Sequence, residues 1–224
     1  MAIILNLETA TTNCSVSIAK DGKLIALKEH NSEGYSHSEL LHVFIKEVLE
    51  DASLKFEDLD AIAVSKGPGS YTGLRIGVSA AKGLCFSLNI PLISVATLRA
   101  LAHQAIKQKV DFIIPVLDAR RMEVYAAVFN SKIIELRKTK AEIIDETSFQ
   151  EYVKKGKVCL IGSGAEKCTG ILEHPNFVFN TLAFPSAKEM CLLSYEHYKS
   201  NTFEDLAYFE PYYLKNFMLQ GKKS

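Results

Sequence analysis

One run in this chain places glycines, a hydroxyl and a cation as if to work on something very close by: Gly67-Pro68-Gly69-Ser70-Tyr71-Thr72-Gly73-Leu74-Arg75-Ile76-Gly77. It follows the apolar stretch Ala61-Ile62-Ala63-Val64, which reads as a buried strand, and it opens a segment from Thr72 to Ser87 that reads as a helix. Gly67 and Gly69 leave the turn free to take positive φ and to lie near another backbone. Ser70 stands where a helix cap belongs, and amides at a helix start make an anion site. Inside the helix Gly73, Gly77 and Ala81 recur every four residues. Each such glycine costs about 1 kcal/mol relative to alanine, so the smooth stripe implies a second backbone packed against it.

Two carboxylates and a second glycine turn extend the chemistry. Glu8 ends one apolar strand and Asp118 ends another, while Gly162-Ser163-Gly164 follows a third. Acids facing each other from two lobes position a metal and a water in actin-like kinases, and a glycine turn there holds adenosine. Glu8, Asp118, Gly162 and Gly164 are therefore the candidate cofactor-binding residues. The turn Thr9-Ala10-Thr11-Thr12-Asn13 argues the other way, since it offers neither lysine nor glycine to cradle phosphates. Weak or absent independent ATP binding is expected.

The histidines do not suggest a metal. His37 and His42 are five residues apart and point about 140° away from each other on a helix. There is no H-E-x-x-H, and His30, His103, His174 and His197 are isolated. No metal site and no catalytic residue are assigned.

These residues are positioned by elements that occur twice. Ile3 to Leu7, Cys14 to Ala19 and Lys23 to Lys28 read as three strands, with a hairpin turn at Asp21-Gly22. Phe112 to Leu117, Glu123 to Phe129 and Lys132 to Arg137 repeat them, with Asn130-Ser131 as the turn. A helix from Ser36 to Ala52, opened by the capping box Ser36-His37-Ser38-Glu39, precedes the strand at 61–64. A shorter helix from Ser148 to Lys154 precedes the strand Val158-Cys159-Leu160-Ile161. The expected fold is α/β, of the actin-like ATPase (ASKHA) type, with two lobes from a duplicated β-β-β-α-β-α unit. Residues 1–108 form the N-terminal lobe. Residues 109–224 form the C-terminal lobe, including a last helix from Ser186 to Lys199 and an aromatic tail from Phe203 to Phe217 that folds back on the body. The helix Thr97 to Gln108 packs across the junction.

Composition excludes several classes. Across 224 residues, 26 basic and 26 acidic side chains cancel, so no net field draws the chain onto nucleic acid. Arg75, Lys82 and Arg99 invite reading as an RNA patch, but neutrality argues against strong solitary RNA binding. Five scattered cysteines with no C-x-x-C pair suit a reducing compartment. No apolar run approaches the ~20 residues that span a bilayer, and no signal peptide is read at the N-terminus. A soluble cytoplasmic protein with no membrane partner is expected.

Taken together, Ile4-Leu5-Asn6-Leu7-Glu8-Thr9-Ala10, the 67–77 run, Asp118-Ala119-Arg120-Arg121-Met122-Glu123-Val124-Tyr125 and Pro211-Tyr212-Tyr213-Leu214-Lys215 resemble the TsaB, or YeaZ, family over nearly the whole chain. That resemblance implies a non-catalytic subunit of the bacterial machinery that forms N6-threonylcarbamoyladenosine next to the anticodon of tRNA. It implies a heterodimer with a TsaD-type paralogue that carries the transfer site, a TsaE-type ATPase in the same complex, and a homodimer when alone. tRNA is reached through the complex. No cofactor is bound tightly by this chain alone, while ATP or ADP belongs to the assembled complex. The first strand of the family usually ends in Asp; Glu8 keeps the charge with a longer reach. The resemblance places the partner surface on two helices, through Leu41, Phe44, Ile45, Val48, Gly73, Arg75, Ile76, Gly77 and Ala81. The alternative is a small stand-alone actin-like kinase or ATPase.

Overall fold

Two five-stranded sheets with one and the same strand order build the chain. They are seen in a computed structural model, which describes residues 1–32 and 36–214. The first unit runs β1 (Ile3–Glu8), β2 (Asn13–Lys20), β3 (Lys23–Asn31), α1 (His37–Asp51), β4 (Ala61–Ser65), α2 (Tyr71–Leu88), β5 (Leu92–Val95) and α3 (Thr97–His103). The second repeats it as β6 (Phe112–Asp118), β7 (Glu123–Asn130), β8 (Glu135–Ile143), α4 (Gln150–Val153), β9 (Val158–Ile161), α5 (Ala165–Cys168), β10 (Phe177–Asn180) and α6 (Ala187–Lys199). The sheets are ordered β3-β2-β1-β4-β5 and β8-β7-β6-β9-β10. In each, the first strand lies antiparallel to its hairpin partner and parallel to the fourth. This is the actin-like duplicated plan.

The repeat unit is longer than the sequence patterns indicate. β5 and β10 escape them, because four apolar residues carry no period of their own. Boundaries also shift for local reasons. The Ser36 hydroxyl makes no cap bond, so the expected box at α1 does not form; its carbonyl accepts from the Glu39 and Leu40 amides instead. Ser186 does cap α6, accepting from the Lys188 amide. β8 begins at Glu135 rather than Lys132. There the Asn130 side chain accepts from the amides of Lys132 and Ile134, and Ile133 takes φ of +58°, which together lengthen the turn. α3 stops at His103, and the chain continues to 108 as turns.

The lobes exchange their last helices. α3 packs on the second sheet, where Leu98, Leu101, Ala102 and Ala105 meet Ile113, Ala127, Cys159 and Ile161. α6 packs on the first sheet, where Ala187, Met190 and Leu193 meet Ile4, Ala61, Ala63 and Ile93. Assigning residues 1–108 to one lobe and 109–224 to the other is therefore corrected at the last helix of each. β1 is buried from Ile4 to Glu8 because α1 and α2 cover one face and α6 the other. Asn6, buried on the α6 side, donates to Ser17 Oγ at 3.3 Å and lies 3.9 Å from Cys191 Sγ.

The aromatic tail also returns to the first lobe, as far as it is described. Glu204 bridges Leu92 at the sheet edge and its carboxylate accepts from Ser94 Oγ. Lys82 holds the carbonyls of Ala207 and Phe209, Phe209 is buried in the core under α2, and the Tyr212 amide donates to the Lys66 carbonyl at 2.7 Å. Lys215 of the tail motif and the residues after it lie outside the described residues.

Candidate functional site

The glycine-rich run and the β1–β2 turn form one packed unit. Gly67 takes φ of +105°, as the turn requires, whereas Gly69 does not enter the left-handed region. A β-carbon on Gly69 would collide with the Ala10 carbonyl, one on Gly73 with the Thr9 carbonyl, and one on Gly77 with Thr9 Oγ1. The close neighbour of the glycine stripe is thus the chain's own first turn, met as backbone at Gly73 and as the Thr9 side chain at Gly77. At the start of α2 the Ser70 amide donates to the Ala10 carbonyl at 2.7 Å, and Ser70 Oγ accepts from the Gly73 amide at 3.2 Å. Residues 9 and 10 therefore cover the helix start where an anion was expected. On the α1 side, His37 is buried and its Nε2 donates to the Thr11 carbonyl at 2.7 Å. Burial holds the His37 pKa below the usual imidazole value, against that hydrogen bond.

Glu8 closes this unit from below. It is fully buried; its Oε1 accepts from the Ala10 amide and from Ser65 Oγ, both at 2.7 Å. The carboxyl thereby ties together the end of β1, the turn after it and the end of β4. Its Oε2 is buried without a partner among the described residues. Burial pushes the pKa up to about 7, against the hydrogen bonds from Ala10, Ser65 and Thr9.

Asp118, its pseudo-equivalent, has the opposite surroundings. Its side chain is 53% exposed, and its Oδ1 accepts from Lys167 Nζ at 2.8 Å and from the Arg120 amide at 2.6 Å. Gly162 and Gly164 likewise serve their own lobe. Gly162, at φ of +119°, lies against the Val116 carbonyl, and the Gly164 amide donates to that same carbonyl at 3.0 Å. Each of the four candidate nucleotide residues is therefore engaged within its own lobe. One acid is sealed inward, the other is paired, and both glycines are spent on strand β6. Among the described residues no group of three or more His, Cys, Asp or Glu is placed to hold a metal ion. All five cysteines are buried, and burial raises each thiol, Cys85 to about 12.

The two-helix face needs a correction. Leu41, Ile45, Val48, Gly73, Gly77 and Ala81 are buried in the lobe's own core. Helix spacing identified the stripe, but the first sheet and the β1–β2 turn use it. Phe44 and Ile76 are half-buried and Arg75 is exposed. Arg75 and Ile76 border a groove of about 800 Å³ between α1 and α2, together with His42, Tyr71 and Leu84, whereas Phe44 packs against the core and does not line it. Arg75 Nη1 donates to the Tyr71 hydroxyl at 3.0 Å, its guanidinium sits 5.3 Å from that ring, and Tyr213 from the tail packs on Tyr71 at 5.0 Å. Tyr71 and the tail were not assigned from sequence, because only the returned tail brings them together. The other two basic candidates are used internally: Lys82 holds tail carbonyls, and Arg99 lies over Phe129, near Glu135 and the Ile133 carbonyl.

The comparisons with known proteins agree with this geometry. The model of the TsaD family, tRNA N6-adenosine threonylcarbamoyltransferase, matches residues 31–215. The tRNA threonylcarbamoyladenosine biosynthesis protein TsaB of Buchnera aphidicola subsp. Acyrthosiphon pisum is 30% identical over 196 residues, which is 84% of this chain and 86% of that protein. The chain belongs to the TsaB family. The TsaB protein of Escherichia coli is 27% identical over 220 residues, covering 95% of this chain and 94% of that one. YeaZ from Pseudomonas aeruginosa superposes with a TM-score of 0.83 at 23% identity, over 96% of this chain and all of that chain, which shows the shared fold. No helix among the described residues is long and apolar enough to cross a membrane.

Proposed function

We propose that this chain is a non-catalytic partner subunit in the formation of N6-threonylcarbamoyladenosine next to the anticodon of tRNA, binding and supporting a TsaD-type transferase. The observation that carries this reading is the covered start of α2 in the first lobe. The Ala10 carbonyl sits on the start of α2, and Glu8 is turned inward on Ser65. A working phosphate site needs its donors free, and here the Ser70 and Ala10 amides are taken by the Ala10 carbonyl and Glu8 Oε1. The names of the TsaB relatives support the pathway. The docking face is the outer surface of α1 and α2 around Phe44, Arg75 and Ile76, and the same face pairs two copies when the paralogue is absent. A TsaE-type ATPase acts in the same complex, ATP or ADP belongs to that assembly, and tRNA is held by it as a whole.

The test is reconstitution. The purified chain, the TsaD-type paralogue, the TsaE-type ATPase, ATP, threonylcarbamoyl-adenylate and unmodified tRNA are combined, omitting one at a time. The chain alone should show no ATP turnover and no transfer, and omitting it should abolish product. Robust turnover by the chain alone, lost in Glu8→Ala or Asp118→Ala, would replace this reading with a stand-alone kinase.

A further inference from the structure

The β6–β7 tip of the second lobe holds two long side chains in the left-handed backbone region. Arg120 has φ of +69° and Arg121 φ of +51°, two consecutive left-handed residues. Side chains disfavour this region, and turns that need it ordinarily use glycine or asparagine. Here both positions carry a long cation. The tip is nonetheless firmly held. Lys167 Nζ donates to the carbonyls of Arg121 and Glu123 at 2.8 and 2.7 Å and to Asp118 Oδ1 at 2.8 Å. The Glu123 amide donates back to the Arg120 carbonyl at 3.2 Å, and the Ile144 amide to the Met122 carbonyl at 2.9 Å. Lys167 itself is only 16% exposed. A half-buried ammonium thus holds the turn from beneath, and left-handed side-chain positions held in this way cluster at functional sites.

Both guanidinia are presented to solvent, and neither is paired among the described residues. Three carboxylates of this region have other partners: Asp118 has Lys167, Asp145 has Thr147 and Ser148, and Glu142 has Arg137 and Lys140. The exposed apolar side chains at the tip are Met122 and, on the paired strand, Ile143. Protein-docking centres instead bury several apolar anchors together. Adjacent guanidinium forks on a rigid point suit phosphate oxygens, which they bind in pairs.

We propose that the β6–β7 tip contacts the phosphate backbone of the tRNA through Arg120 and Arg121. The inference rests on the partner-subunit reading above and names the place where this chain meets the RNA. Because the whole chain is neutral, the contact is local and fades with salt, and it adds to binding by the assembled complex rather than creating it alone.

The decisive variant is Arg120→Asn with Arg121→Gly, which removes both cations and also relieves the left-handed strain. Its melting temperature should equal or exceed that of the wild type, and it should assemble with the TsaD-type paralogue at wild-type affinity. Titrated with an unmodified tRNA transcript, the variant complex should bind about tenfold more weakly, with a log–log salt slope shallower by about 1–2. The double lysine variant, Arg120→Lys with Arg121→Lys, should keep the slope while losing part of the affinity, since it retains charge without the fork. Unchanged tRNA affinity and slope in the first variant overturn the proposal. Loss of assembly also overturns it, by showing the tip to be a protein contact. A wild-type chain that neither binds the paralogue nor supports modification removes the partner-subunit reading and this inference together. A wild-type complex that modifies tRNA while the variant retains full affinity removes this inference alone.

Discussion

The two lobes share a strand order and differ in the turn after their first strand. In the first lobe that turn is pressed into the start of α2, and the acid that ends β1 is buried beneath it. In the second, the turn after β6 stands in solvent with its acid half-exposed. The helices explain the contrast. α1 and α2 have 15 and 18 residues, whereas their counterparts α4 and α5 have four each. Two long helices, one lined by glycines, make a bed into which a turn can sink; two single turns do not. A duplicated fold has thereby specialised one half for a packed, two-helix surface and left the other half an open, charged tip.

The sharpest test of that contrast is a charge placed in the bed. Leu41→Glu should unfold the first lobe, costing on the order of 5 kcal/mol as an unpaired buried charge, while Arg75→Glu on the outer surface of α2 should leave the urea midpoint unchanged and weaken heterodimer formation. A folded Leu41→Glu variant would show that the α1 stripe is not core.

Glu8 sharpens the comparison through pH. A carboxyl raised from 4.5 to about 7 holds its proton more tightly in the folded state. Its contribution to stability is therefore full below 4.5 and is lost as pH rises toward 7. Between pH 5 and pH 8 the wild type should lose about 2–3 kcal/mol relative to Glu8→Gln, read from urea midpoints of both proteins at each pH. Parallel pH dependence in the two proteins would mean that Glu8 is ionised within the fold.

Glycine replacement gives a smaller and more local difference. Gly73→Ala sets a β-carbon on the Thr9 backbone and should cost about 2–3 kcal/mol by overpacking. Gly164→Ala, whose β-carbon would meet neighbours at 3.1 Å, should cost about 1 kcal/mol. Equal costs would erase the claim that the first turn is the more tightly bedded. The smallest effect belongs to Lys167→Met, which should cost about 1 kcal/mol by freeing the carbonyls of Arg121 and Glu123 to solvent. Hydrogen exchange confined to the β6–β7 tip checks it.

Much of this was legible in the residues. The duplicated order of strands came from two matching apolar, alternating and turn patterns, and the glycine stripe announced a close backbone. The β-carbons that Gly73 and Gly77 lack would indeed meet Thr9. Which backbone it would be was not legible, because Thr9 lies more than sixty residues away in sequence and the pattern on α2 is the same for any partner. The same limit misplaced the docking stripe: Leu41 and Ile45 recur at helical spacing whether a sheet or another protein covers them.

The sequence by itself determined the doubled plan, its elements other than β5 and β10, and the acid at the end of each first strand, because local periodicity and turn chemistry act over a few residues. Only the tertiary structure decided that α3 and α6 cross to the opposite sheets, that Glu8 is sealed while Asp118 is paired with Lys167, and that Arg120 and Arg121 stand unpaired on a fixed tip. Those outcomes depend on which distant surfaces are brought together, and burial and pairing are properties of that juxtaposition rather than of any one segment.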